Sequence, residues 1–277
     1  MYILRFLKIY AIIASIFLIT ACSDSDDSVG SGGVDTEDTY FDIHFTDNGS
    51  GSVSVSTQLL TDGPGSDTQV YLSDNDQLWA SKDQNIENLS VNGTLFNGFD
   101  TLAANVVRLY DADETDVEID FLFLSIIFRG NIWYANLLEA GEASTVYYLS
   151  YVRSRREDAL DSTVILPEPF SISAPLAGER HSRVNDLQII WEPSGSTSTV
   201  EINVRASCLS GFDGVYREEI ADTGAFTMPG GSLIGLSEDC STVVEVSKSL
   251  LGNLDPNVGS GRIVGHQVRR VAITTTN

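Results

Sequence analysis

The sequence predicts an all-β chain, folded as two β-sandwich domains in tandem. Three observations predict it: apolar residues recur with a period of two, Gly- and Asn-rich turn pairs punctuate these runs, and Pro167-Glu168-Pro169 breaks the folded part in two.

Residues 1 to 21 begin with a short basic stretch holding Arg5 and Lys8, followed by thirteen uncharged, mostly apolar residues from Ile9 to Ala21. At about 1.5 Å per residue a helix of that length spans roughly 20 Å, short of the roughly 30 Å hydrocarbon core, so a secretory signal peptide is expected. The segment ends Ile19-Thr20-Ala21-Cys22, which resembles the lipobox of bacterial prolipoproteins. The resemblance implies cleavage before Cys22 and a diacylglyceryl group on its sulfur. Two or three acyl chains suffice for stable anchoring where one does not. Ser23 stands where an aspartate would resemble an inner-membrane retention signal, which points to the outer membrane of the cell envelope. The membrane, reached through covalent lipid, is therefore the first expected partner.

Residues 22 to 39 are rich in Ser, Asp and Gly and have almost nothing apolar to offset the entropy of ordering, so a flexible acidic tether is expected. The N-terminal β domain is assigned to residues 40 to 166. Phe41, Ile43 and Phe45 alternate with Asp42, His44 and Thr46, and Asp47-Asn48-Gly49 turns the chain toward Val53 and Val55. Val117, Ile119, Phe121 and Phe123 alternate with Asp116, Glu118 and Asp120. The apolar run Leu122 to Phe128 reads as strand or short buried helix, with a hairpin at Gly130-Asn131 leading into Ile132-Trp133-Tyr134. Thr145 to Arg153 and Ser162 to Leu166 are further strands. The C-terminal domain, residues 167 to 277, carries strands at Phe170 to Ser173, Leu187 to Trp191, Thr199 to Ala206, Ala225 to Met228, Val243 to Val246 and Arg262 to Ile273.

That strand count and length match an immunoglobulin-like sandwich. Ser173-Ala174-Pro175, Leu187 to Pro193 and Val200 to Val204 together resemble the opening strands of fibronectin type III domains, which implies a core position for Trp191. The Val243 strand lacks that family's tyrosine, and a fold of this kind names no ligand.

Charge excludes one class of partner. Loss of Arg5 and Lys8 from the 16 basic groups leaves 14 against 39 acidic ones, so the mature chain carries a net charge of about −25. Nucleic acid requires clustered cations and is not expected as a partner. Anionic headgroups would repel such a surface as well, which leaves attachment to the lipid.

With Cys22 assigned to lipid, Cys208 and Cys240 form the one internal pair; export predicts a disulfide between them, and their spacing is not that of zinc ligands. The histidines His44, His181 and His266 are scattered, with no nucleophile-elbow motif, so no catalytic residue is assigned and no enzymatic activity is expected. The Gly259-to-Gly265 stretch reads as a hairpin turn, since a strand follows it where a phosphate loop needs a helix. Calcium is the one cofactor the sequence admits: Asp111, Asp113 and Asp116 place alternate oxygens along one loop, without the glycine and distal glutamate of an EF-hand. Trp133, Tyr134, Tyr147, Tyr148 and Tyr151 offer either core packing or a platform for sugar rings, though Tyr147 and Tyr148 must face opposite ways. The functional expectation is a lipid-anchored, non-catalytic binding or structural module with a protein or glycan partner; the alternative is a carbohydrate-binding or calcium-dependent adhesion module, or a hydrolase accessory domain.

Overall fold

The computed structural model describes residues 39–61, 63, 76–83, 106–108, 110–111, 117–121, 124–128, 132–153, 156–209, 211, 213–233 and 239–277. They form eighteen strands: β1 Thr39–Asp47, β2 Ser52–Thr61, β3 Gln77–Lys82, β4 Val106–Arg108, β5 Tyr110–Asp111, β6 Val117–Phe121, β7 Leu124–Phe128, β8 Ile132–Glu139 and β9 Val146–Val152 in the first part. Then come β10 Ala159–Ile165, β11 Ser171–Ala174, β12 Arg180–Ser182, β13 Leu187–Glu192, β14 Thr199–Cys208, β15 Asp213–Ala221, β16 Ala225–Met228, β17 Cys240–Leu251 and β18 Ser260–Thr276. Among the described residues the only helical element is one 3-10 turn, Pro256–Val258, whose N-terminus is capped by the Asp255 carboxylate. The all-β expectation holds.

One long sheet organises the molecule, in the order β15-β14-β17-β18-β1-β2-β8-β5, with β12 also paired to β18. Strand β18 explains how it becomes continuous. One edge pairs antiparallel with β17 from Val264 to Thr275, and the other pairs parallel with β1 from Ser260 to Gln267 and with β12 from Thr274 to Thr276. Seventeen extended residues span roughly 55 Å, enough to serve both halves of the chain. Its approach to β1 is close at Gly261, where a Cβ would lie 2.3 Å from the Phe41 carbonyl oxygen and φ is +146°. Only glycine fits that position.

Alternation decides which face of this sheet is buried. In β1 Phe41, Ile43 and Phe45 are fully buried while the residues between them are partly exposed. Register puts Ile263 beside Ile43 and Val271 beside Val244, so both hydrophobic clusters lie on one face of the long sheet. The first cluster joins β1, β2 and Ile263 to Leu78, Tyr147, Leu149 and Tyr151 of a second sheet, β10-β9-β3-β4. The second joins Val200, Ile202, Val204, Val244 and Val246 to Leu187, Ile189, Trp191 and Met228, from a third sheet, β11-β13-β16. Trp191 is fully buried, as the tryptophan-in-the-core expectation requires.

One local reading is settled between its alternatives, and one differs from the sequence-based expectation. The segment Leu122 to Phe128 is not helical where described: β7 pairs antiparallel with β6 from Phe121–Leu124 outward. The hairpin expected at Gly130-Asn131 is replaced by long-range pairing, because β8 joins β2 and β5 instead of β7. A period of two marks a strand and its faces without choosing its neighbour. The turn at Asp47-Asn48-Gly49 forms as expected, with Gly49 at φ +83° and its N–H donating to the Asp47 carboxylate at 2.7 Å.

Candidate functional site

The partly exposed face of β1 presents Asp42 and His44, two residues apart and so on the same side. Parallel register brings Arg262 beside Asp42 and His266 beside Thr46, and antiparallel register places Ser249 of β17 opposite His266. Three strands thus deliver five polar side chains to the face of the long sheet away from its hydrophobic clusters.

These five form one hydrogen-bonded line. Arg262 donates twice to Asp42, Nε to Oδ1 at 2.6 Å and Nη2 to Oδ2 at 2.9 Å. Asp42 Oδ1 lies 2.9 Å from His44 Nε2, His44 Nδ1 lies 2.8 Å from His266 Nε2, and His266 Nδ1 lies 2.8 Å from Ser249 Oγ. The imidazole centroids are 5.1 Å apart with planes inclined by 23°. That separation is close to one hydrogen bond plus two ring radii, so the rings meet edge to edge and are not stacked face on face.

The charges follow from these contacts. Burial alone would raise the Asp42 carboxyl, but hydrogen bonds from His44 and Arg262 overcome it and hold the group well below the usual carboxylate range. Burial, reinforced by the nearby His44 and Arg262, pushes His266 down to about 4 despite Asp42, so its ring is neutral at pH 7.

A pH dependence of stability follows. The unfolded imidazole titrates near 6.5 and the folded one near 4, so the unfolded chain binds this proton more readily. Stability is therefore complete above about pH 6.5 and falls as pH drops toward 4, by about 2 to 3 kcal/mol. Denaturant midpoints measured from pH 7 to pH 4 should show this decline, and His266→Gln should flatten it. An equally steep decline in that variant would assign the effect elsewhere.

The other residues singled out from sequence distribute as follows. Cys208 and Cys240 are joined in a disulfide, with Cα atoms 4.3 Å apart at directly opposite positions of β14 and β17. His181 lies apart from the other two histidines, its Nε2 3.2 Å from the Asn185 carbonyl oxygen. Asp111 ends β5, while Asp113, Asp116 and Cys22 lie outside the described residues. Among the described residues, no group of three or more His, Cys, Asp or Glu side chains is arranged to hold a metal. Tyr147 and Tyr151 are buried against Phe45 and Phe41, with ring centroids 5.8 and 5.5 Å apart, so they pack the first cluster and leave Tyr148 on the other face. Sequence reading gave no weight to Asp42, Ser249 or Arg262, and it treated His44 and His266 as unrelated. Their one legible signal is polar residues alternating with buried apolar ones on β1.

No protein-family model matches this sequence, and no curated protein matches it.

Proposed function

We propose that this chain is a lipid-anchored protein of the cell envelope, outer membrane in preference to inner, whose β structure acts as a binding or structural module without turnover. The observation that carries this reading is Ile19-Thr20-Ala21-Cys22 behind a short basic and apolar leader. The Cys208–Cys240 disulfide supports it, since such bonds persist in oxidising compartments outside the cytoplasm. The acidic stretch from Cys22 onward serves as a spacer between lipid and fold. The two hydrophobic clusters support two modules, the first of which also draws Val258 and Ile263 from the C-terminal part, and the net charge leaves membrane attachment to the acyl chains.

Mass analysis of the protein extracted from membranes tests the assignment. The expected mature chain lacks residues 1 to 21 and carries acyl chains on Cys22, and Cys22→Ser should abolish both lipid and membrane retention. A mature chain that starts elsewhere and bears no lipid would overturn it.

A further inference from the structure

With both imidazoles neutral, the line from Arg262 to Ser249 admits one arrangement of protons. A carboxylate only accepts, so His44 Nε2 carries a hydrogen toward Asp42, and His44 Nδ1 is left as an acceptor. His266 Nε2 must then donate to His44 Nδ1, which leaves the bare Nδ1 of His266 to accept the Ser249 hydroxyl proton. Every bond is satisfied by one proton, and those of Ser249, His266 and His44 all point toward Asp42. A serine whose hydroxyl donates to a neutral imidazole, itself oriented by a further acceptor, is an activated nucleophile. Ser249 is also exposed, so an incoming reagent reaches its oxygen.

We propose that Ser249 is a covalent acceptor for acyl groups, activated through His266, His44 and Asp42. This goes beyond the binding or structural reading above and does not depend on the lipid anchor. In the step, Ser249 Oγ attacks the carbonyl carbon of an activated carboxylic ester. The new Oγ–C bond forms, the ester C–O bond breaks, and the alcohol leaves. The Ser249 proton passes to His266 Nδ1, and the His266 Nε2 proton moves on to His44 Nδ1, which places the imidazolium charge beside the Asp42 carboxylate. As the adduct collapses both shifts reverse, and His266 Nδ1 gives the proton to the departing alkoxide, which leaves as the alcohol. Net, ester and serine give acyl-serine and alcohol.

Two features define the substrate and the outcome. Leu251 lies two residues further along β17 on the same side of the strand and is 77% exposed, which provides an apolar contact for the acyl chain. Gly252 N–H bonds to the Ile263 carbonyl, so the even-numbered residues of β17 face β18 and the odd-numbered ones face β14. That alternation directs the Ser249 N–H to the Thr199 carbonyl, next to the last pair, Val200 with Lys248. The serine's own amide is thus spent on the ladder and is not free to stabilise an oxyanion. An activated ester, with its good leaving group, acylates Ser249 without that help. The resulting alkyl ester has a poor leaving group as well, so the acyl group should stay on Ser249, giving one equivalent of adduct instead of sustained hydrolysis.

The test uses the detergent-solubilised full chain and p-nitrophenyl butyrate, following nitrophenolate release and then mapping the adduct by mass spectrometry. Exposed Ser241, on the same strand, is the internal control. A burst of about one equivalent, with butyryl on Ser249 and at least ten-fold slower modification of Ser241, is the expected result. His266→Gln and His44→Asn should each slow Ser249 acylation at least ten-fold while leaving thermal unfolding at pH 7 cooperative; the two variants guard against a misfolded protein being read as an inactive one. Ser249 reacting no faster than Ser241, an unchanged rate in both histidine variants, or continuous turnover through Ser249 would overturn the proposal.

Discussion

Replacing Asp222 by alanine is expected to destabilise the fold by about 3 to 5 kcal/mol, because it strands a buried lysine. Lys248 has no exposed surface, and its ammonium spends its three donors on Asp222 Oδ2 at 3.0 Å, the Pro193 carbonyl at 2.6 Å and Ser196 Oγ at 3.1 Å. The Phe170 ring lies 4.9 Å from the same nitrogen. Asp222 also accepts from the buried Trp191 Nε1 at 2.8 Å and from Thr197. Burial would raise this carboxyl, but the Trp191 and Lys248 hydrogen bonds bring it below its ordinary value, so Asp222 is held as a carboxylate. Alanine removes the countercharge and the indole's acceptor together. Denaturant unfolding of Asp222→Ala measures the loss. A double variant, Asp222→Ala with Lys248→Met, should recover part of it, because the cost lies in the unpaired charge and not in the absence of the bridge. A loss below about 1 kcal/mol in the single variant would show that water reaches the lysine.

The position of that lysine shows where sequence reading reaches its limit. The alternation Phe41, Ile43, Phe45 against Asp42, His44, Thr46 gave β1 and both its faces correctly, and Ala225 to Met228 became β16 with the same bounds. Trp191 was expected in the core and is there. Each of these follows from local periodicity, which a strand must carry if one face is buried. By contrast, β17 was read as Val243 to Val246 but runs from Cys240 to Leu251, and its extension carries both Lys248 and Ser249. A lysine ends an apolar pattern in a sequence. In the structure it continues the strand, because a buried carboxylate from 26 positions earlier in the chain compensates it.

The polar line across β17, β18 and β1 was illegible for a related reason. His44 and His266 stand 222 positions apart and meet only because β18 pairs parallel to β1. A parallel ladder between the first and last strands leaves no turn signature, unlike the hairpin at Asp47-Asn48-Gly49. The same strand explains why the break at Pro167-Glu168-Pro169 does not interrupt the sheet, and why the first cluster includes Ile263 from beyond it. Residues 260 to 267 complete the first half while 264 to 275 complete the second, and Arg269 ties the two by donating to the carbonyls of Asp47 and Phe170.

Removing the disulfide by a paired Cys208→Ala, Cys240→Ala substitution is expected to cost about 3 to 4 kcal/mol on the chain-entropy model. The bond closes a loop with a sequence separation of 32, which holds β15 and β16. Its geometry is the one an antiparallel ladder offers: directly opposite residues whose Cα atoms stand 4.3 Å apart, the spacing of a pair without mutual backbone hydrogen bonds. The native strands need not move to accept it, so little of the entropic gain is lost to distortion. Both cysteines are buried, and Arg183 donates to Thr275 beside them, with Nη1 3.6 Å from the Cys240 sulfur. The double alanine variant leaves two small voids and no buried thiol, which makes it a cleaner probe than a single substitution. Unfolding midpoints of the parent with and without reductant, set beside the variant, separate the cross-link from the packing: the parent should shift on reduction, and the variant should not. A parent whose midpoint is insensitive to full reduction would mean that the β14–β17 ladder already restricts the unfolded chain as much as the covalent bond does, and the entropic account would fail for this loop.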